Sequence, residues 1–435
     1  VHKGSLTGIE IISRLAEQVW SRGIHRMEEH RAIALVPSTD GTRIAGVLMI
    51  NMQTGEFHLV QAKAVMIGTG GGPTMYKFHT PSGDKSCDGL ALALRAGLPL
   101  IDMEMVQFHP TGLVAGEDTR ITGTIIEEGL RGAGGYLLDG SEQRFMHEFD
   151  ERGERATRDI VSRAMYEMMK QSRTAPNGGL YITMAHLDPK MVVQQFKGMV
   201  DRCRDVGFDL VGGLVEVVPT AHYMMGGIKF DENCFTDIPG VFVAGEDAGG
   251  AHGANRLGGN GVANSTVFGG VAGDTMAPWV RRDGEFSDPD EAVVEETISR
   301  CLMPFSNNSG SVTDLRLRLY DLMWEEVGIT RTAESLNRGL AGLDELENDL
   351  QSIGLAESNR AFNLTWHDWL NMRSLTDISE VIAKSALARE NSRGAHYRED
   401  FQDSGTMEDS YFTLARKNDD QLHVSREAVD FSIVK

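Results

Sequence analysis

Apolar positions recur every three to four residues over 6–22 (Leu6, Ile9, Ile12, Leu15, Val19), which predicts an amphipathic helix. Three short strand-like runs follow at 31–36, 46–52 and 56–60, separated by Asp40-Gly41 and Thr54-Gly55 as hairpin turns would separate them. Ala64-Val65-Met66-Ile67 reads as a short buried strand running into Gly68-Thr69-Gly70-Gly71-Gly72-Pro73. After Asp88-Gly89 a helix is expected over 90–96, stopped by Gly97. A helix over 157–171 gathers Ile160, Val161, Ala164, Met165, Met168 and Met169 on one face. Residues 240–244 form a second buried strand, followed by a glycine cluster and a helix from about 262. From about 286 the period is that of long amphipathic helices, with Leu336, Leu340, Leu343, Leu346 and Leu350 along one stripe. The last 40 or so residues lose this period and read as a mixed α+β tail. No internal repeat or low-complexity segment interrupts the chain.

With 435 residues, the chain has room for two to four domains at ~100–200 residues each. Its formal charge of −21 repels nucleic-acid backbones and anionic lipid surfaces, yet leaves room for a locally cationic cleft. The four cysteines, Cys87, Cys203, Cys234 and Cys301, lie too far apart for a metal knuckle or a redox dithiol, and a reducing compartment is the default. No apolar run reaches the ~18 residues of a membrane helix. The chain opens on Val1-His2-Lys3, without an initiator Met or a signal peptide, so processing or truncation is expected at this end. Its 49 glycines are clustered: Gly245, Gly249, Gly250, Gly253, Gly258, Gly259 and Gly261 fall within one short stretch. Glycine gathered between apolar runs marks backbone that lies close to a ligand or to other backbone.

Four groups of residues could carry chemistry. The turn at 68–73 follows a strand, but Pro73 stands where a dinucleotide fingerprint has its third glycine. It reads either as backbone passing under a cofactor or as a tight strand-to-loop turn. Gly258-Gly259-Asn260-Gly261 enters a helix whose N-terminal N–H groups could seat a carbonyl or phosphate oxygen. Glu246, just past the strand, could accept from a ribose hydroxyl; together these favour a cofactor site over a glycine-rich helix approach. His109, His222 and Arg256 lie in apolar or glycine-rich surroundings and are donors suited to carboxylates, although a single histidine is more often a hydrogen-bonded core residue. No His/Asp/Glu set has metal-ligand spacing. Glu128 and Arg131 are spaced for a local pair, ordinarily a surface salt bridge of little consequence, and Arg158 alone reads as a solvated residue.

These strings make the chain recognisable. His109-Pro-Thr-Gly112, Glu128-Gly-Leu-Arg131-Gly, Arg144-Phe-Met146, Arg158-Asp-Ile-Val-Ser-Arg163, Ala221-His-Tyr-Met-Met-Gly-Gly227, Ala244-Gly-Glu246, His252-Gly-Ala-Asn-Arg-Leu-Gly-Gly-Asn260 and Ser392-Arg-Gly-Ala-His396 resemble, in order, the flavoprotein subunit of succinate dehydrogenase and fumarate reductase, a family that includes L-aspartate oxidase. The resemblance implies FAD as cofactor and hydride transfer between flavin N5 and a C4 dicarboxylate or a related acid. It also implies that His109, His222 and Arg256 bind carboxylates, and that Arg158 exchanges a proton supplied through Glu128 and Arg131. Gly70, Gly71, Asp88, Glu246, Asn260 and Gly261 resemble its FAD-contacting positions.

Three departures accompany the likeness. The family's first strand and glycine-rich dinucleotide turn, with the histidine that links FAD covalently in many members, lie upstream of Val1, so the chain resembles an N-terminally truncated member. Glu127 replaces a Thr whose hydroxyl helps hold a substrate carboxylate, and a carboxylate there would repel one. Gly261 replaces a Ser, which a backbone N–H contact would tolerate.

The expected fold class is α/β: an FAD-binding α/β domain lacking its first dinucleotide-binding segment (1–105 and 222–280), an α+β capping domain (106–221), a helical bundle (281–390) and a small C-terminal domain (391–435). The resemblance implies an enzyme that passes electrons to an iron–sulfur partner subunit. It further implies that a membrane is met only through partner subunits. Such an enzyme is cytoplasmic, or peripheral at the cytoplasmic face of the inner membrane. An oxidase acting on aspartate is the alternative within enzymes, suggested by the segment Phe149-Asp-Glu-Arg-Gly-Glu154; a non-catalytic paralogue with a relict site is the third.

Overall fold

The computed structural model describes residues 7–116, 121–418 and 421–432. The first predicted helix runs over Thr7–Ser21; Leu6 lies outside the described residues. The three strand-like runs form an antiparallel meander, His30–Pro37, Ile44–Asn51 and Phe57–Gln61, whose inward side chains include Ile33, Leu35, Leu48 and Ile50.

The two short apolar strands, Val65–Ile67 and Val241–Val243, pair in parallel although 176 residues separate their first positions (241 − 65). That pairing brings together the two glycine-rich loops that leave their C-terminal ends, which is where open parallel sheets bind ligands. The helix after the first loop spans Asp88–Arg95, two residues earlier than its apolar pattern, and the helix after the second spans Asn260–Arg282.

A second apolar core lies under a four-stranded antiparallel sheet ordered Val106–Leu113, Leu214–Met224, Leu180–Thr183, Tyr136–Leu138. The helix Arg158–Lys170 packs on it through Val161, Ala164, Met165 and Met168. The helical region centres on Leu364–Ala388, which buries Trp366 and Trp369 against Val312–Glu326 and Ala333–Ser352. These helix starts are satisfied locally: Asn363 accepts from Trp366 N–H, and Thr332 with Ser335 forms a reciprocal cap.

The expectation of a mixed α+β tail is corrected. Beyond Ala388 the described residues hold no helix. Tyr411–Asn418 and Gln421–Ala428 form a hairpin, with Thr413 and Ala415 inward at period two, and the hairpin adds to Leu100–Ile101 and Gly227–Ile228 in one sheet. Among the described residues no helix is long and apolar enough to cross a membrane, and no group of His, Cys, Asp and Glu could hold a metal ion.

Candidate active site

The strand Val106–Leu113 carries His109, fully buried, into the region where Leu214–Met224 brings His222. Their rings meet edge to face with centroids 5.5 Å apart. His109 Nδ1 accepts from the Thr111 backbone N–H at 3.3 Å, which leaves the proton of the neutral ring on Nε2. His222 Nδ1 pairs with the Thr80 hydroxyl at 2.8 Å. Burial, then the charge of Arg158, holds His109 well below the usual histidine range; burial, then Arg256 and Arg158, pushes His222 down to about 3. Both imidazoles are therefore neutral at physiological pH, and His109 presents an Nε2–H donor.

Arg158 is the first residue of its helix, where a cation faces the positive end of the helix dipole. Glu128 offsets this. Arg158 Nε and Nη2 donate to its two carboxylate oxygens at 3.1 and 2.8 Å, a forked pair, and Nη1 donates to Gln107 Oε1 at 3.0 Å. Arg131 Nη2 donates to the same carboxylate at 3.1 Å and its Nη1 to the Glu154 carbonyl at 2.7 Å. Burial pulls the Glu128 pKa up, but the hydrogen bond and charge of Arg158, then the charge of Arg131, bring it below the usual glutamate value. The ordinary alternative for these residues, a surface pair of Glu128 with Arg131 and a solvated Arg158, does not describe them: Arg131 and Arg158 are buried, 3% and 9% exposed, and they share one carboxylate.

Arg256 is buried, with its guanidinium 4.3 Å above the Tyr223 ring, and its Nε has no hydrogen-bond partner. A buried guanidinium N–H left unpaired points to an absent anion. The Tyr223 hydroxyl is fixed by Asn264 Nδ2 and His252 Nε2, each at 3.2 Å. Arg158, His222, Arg256 and Glu246 line one cavity of about 520 Å³ between the helices Thr7–Ser21 and Asn260–Arg282, walled on its apolar side by Ile11, Ile12, Leu15 and Val262.

The cofactor candidates divide into two groups. Glu246 is half-buried and accepts from Met224 N–H at 2.9 Å; burial raises its pKa to about 7. Gly71 lies against its carboxylate so closely that a Cβ would collide with it. Gly70, at φ +78°, donates its N–H to Asp247 at 2.8 Å. Asn260 begins its helix, Gly259 before it adopts φ +84°, and a Cβ on Gly261 would stand 3.0 Å from the Tyr223 ring. A glycine cradle, a buried hydroxyl acceptor, a helix N-terminus and an apolar wall fit a flavin nucleotide. Asp88 stands apart, bound to Arg31 at 2.9 Å and to the Ser86 hydroxyl at 2.8 Å, in a second cavity of about 950 Å³ that also reaches Thr69. Glu127 is exposed, with its carboxylate beside Gly129 and Phe196, and hydrogen-bonds none of the other candidates.

Four residues of the site escaped the sequence reading. Gln107 links Arg158 to the Arg256 carbonyl, which its Nε2 reaches at 2.7 Å. Tyr223 supports Arg256. Asp247, fully buried, accepts from Thr69 and Gly70 and so locks the first glycine loop to the second. Lys85 Nζ donates to Thr69 O at 3.0 Å beside Gly70. Only Asp247 carried a signal, as a second acid directly after a buried strand.

The fold and this site define a flavin-dependent oxidoreductase. Residues 1–262 match the FAD binding domain family and residues 316–435 match the fumarate reductase flavoprotein C-terminal family. The chain is 35% identical over 421 residues to one subunit of the CoM/CoB fumarate reductase of Methanothermobacter marburgensis, covering 97% of this chain and 76% of that protein. It is 31% identical to L-aspartate oxidase of Synechocystis, covering 93% of this chain and 74% of that protein. A solved structure of Escherichia coli quinol fumarate reductase, in a mutant form, superposes with a TM-score of 0.91 at 29% identity, covering 99% of this chain and 76% of that one. The chain belongs to the fumarate reductase and succinate dehydrogenase flavoprotein family, which includes L-aspartate oxidase, and its cofactor is FAD.

Proposed function

We propose that the protein interconverts succinate and fumarate, or a closely related C4 acid, and passes electrons to an iron–sulfur partner subunit. The observation that carries this reading is the forked Arg158–Glu128–Arg131 system opening beside His222 and Arg256 on one cavity. FAD, when bound, supplies the hydride acceptor or donor; Gly70, Gly71, Glu246, Asn260 and Gly261 are the residues that would hold it, with Asp88 further along. The neutral His109 and His222 donate hydrogen bonds to substrate carboxylate oxygens, and Arg256 offers a charged donor from its stacked position on Tyr223. Arg158 holds the proton exchanged with substrate carbon. This role rests on the forked contact of Arg158 with Glu128, the carboxylate that receives and returns the proton and that Arg131 also holds.

An aspartate-oxidizing activity is the second reading. It is favoured by the L-aspartate oxidase relatives. Retention of His109, Glu128, Arg131, Arg158, His222 and Arg256 in one connected region weighs against a relict site. The boundaries 1–105 with 222–280, 106–221, 281–390 and 391–435 remain our proposed division of the chain, with the site where the capping segment meets the cofactor segment. A cytoplasmic location, or one peripheral to the membrane through partners, belongs to the same proposal. The test is dye-linked turnover of the flavin-loaded full-length protein with succinate, fumarate and aspartate. Turnover with succinate or fumarate supports the first reading. Flavin bleaching by aspartate alone supports the second.

A further inference from the structure

Away from the catalytic cavity, three helices each deliver a guanidinium to one polar cavity of about 530 Å³: Arg95 from Asp88–Arg95, Arg300 from Glu291–Leu302 and Arg373 from Leu364–Ala388. This cavity shares no lining residue with the catalytic one. Each guanidinium is oriented, and one carboxylate at the inner wall does not neutralise all three. Arg95 Nε donates to Asp377 at 2.9 Å; its buried Nη2 lies 2.7 Å from the same carboxylate but lacks the geometry of a hydrogen bond. Arg300 Nη2 donates to the Thr297 hydroxyl at 3.3 Å, and its nearest carboxylate, the exposed Glu296, stands 3.6 Å away. Arg373 lies 5.4 Å from the centre of the Trp369 ring, whose Nε1 is pinned to the Leu350 carbonyl at 2.9 Å. Among the described residues Arg373 makes no hydrogen bond and no ion pair.

The charges are concentrated. Burial raises the Cys301 thiol pKa against the opposing charges of Arg300, Arg95, Arg373 and Arg31 around it. Burial, then the charge of Arg95, pushes the Arg373 pKa down to about 10. Of the carboxylates on the cavity, Glu296 and Glu347 are exposed at its rim, which leaves Asp377 as the inner counter-charge to the three guanidiniums. In a chain of net charge −21 this is a cationic pocket set against the global field. Guanidinium groups that converge on one cavity match a multivalent oxyanion, and three of them exceed what one carboxylate satisfies.

We propose that this cavity binds a phosphate group, as inorganic phosphate or as a small phosphate ester. The inference stands apart from the proposed redox reaction. The test uses flavin-loaded full-length protein, so that the phosphate contacts of the cofactor are already filled. Calorimetric titrations with inorganic phosphate and with glycerol 3-phosphate are run at constant ionic strength balanced by chloride. The expected result is saturable binding that Arg373→Met and Arg300→Gln each weaken by about tenfold or more, the loss expected for a charge-assisted hydrogen bond. Tighter binding of glycerol 3-phosphate assigns the pocket to an ester, and equal binding assigns it to the phosphate group alone. Arg373→Met, having lost an unpaired charge, is expected to melt higher than the unmodified protein in phosphate-free buffer. Should that variant fail to fold, Arg300→Gln reads the same affinity. Binding no stronger than that of chloride, or binding that survives the substitutions undiminished, overturns the proposal.

Discussion

Glu246→Gln isolates the cost of keeping an acid at the cofactor cradle. The Glu246 carboxyl is held against Gly71, accepts one backbone hydrogen bond from Met224, and sits beside a second buried acid, Asp247. Burial raises its pKa from 4.5 to about 7, so the folded, flavin-free protein binds this proton more tightly than the unfolded chain does. Stability from this group is complete below pH 4.5 and is lost as pH rises through 7. The step from 4.5 to about 7 corresponds to a loss of about 3 kcal/mol. Glutamine keeps the size of the side chain and an acceptor for Met224 N–H but has no charge to lose. Asp247, whose pKa is raised to about 6 by burial, titrates in both proteins, and because its charge helps raise Glu246 the comparison reads the pair of acids together. Urea unfolding of the flavin-free proteins should therefore show near-equal stability at pH 5 and an advantage of about 3 kcal/mol for the variant at pH 8. Flavin affinity should move the other way, weaker by about tenfold as a charge-assisted acceptor is lost. A stability difference that does not change between pH 5 and pH 8 would refute the assignment of a buried, proton-linked Glu246.

Three further changes test the surrounding geometry. Gly71→Ala places a Cβ against the Glu246 carboxylate without a backbone penalty, since Gly71 has no positive φ; flavin affinity measured by fluorescence quenching should fall about tenfold or more while the fold is retained. Thr69→Val keeps the shape but removes the hydroxyl that donates to Asp247 at 3.0 Å and accepts from Gly89 N–H at 3.1 Å; denaturant unfolding should show a loss of about 1–3 kcal/mol. Glu127→Thr should change the KM for succinate less than about threefold, because the side chain is exposed and its charge is screened by water; a larger fall in KM would show that its carboxylate does face the substrate.

Periodicity carried most of the fold. The meander, the helix Arg158–Lys170 and the leucine stripe of Ala333–Ser352 follow apolar spacing closely, because each has one buried face and one wet face. The tail misled because it is a short local hairpin, Tyr411–Asn418 with Gln421–Ala428, whose inner edge is closed by Leu100–Ile101, a partner more than 300 positions earlier. The same limit applies at the site. Motif strings named Arg158, Glu128 and Arg131, yet local spacing alone read them as surface residues; the burial of Arg158 comes from the packing of a helix start onto the strand that carries Gln107. Asp247 and Tyr223 act on groups distant in sequence, so no window of the chain could reveal what they hold.

The central claim is that Arg158, clamped by Glu128 and beside His222 and Arg256, delivers the proton in a C4-acid redox reaction. The most direct measurement is steady-state turnover of the flavin-loaded full-length protein with succinate and fumarate, for the unmodified protein and for Arg158→Ala, alongside the redox state of the bound flavin. The account predicts turnover of at least one of these acids, a fall of at least about a hundredfold in kcat for the variant, and flavin binding unchanged. Equal turnover by Arg158→Ala, or no reaction of the unmodified protein with either acid, would contradict it.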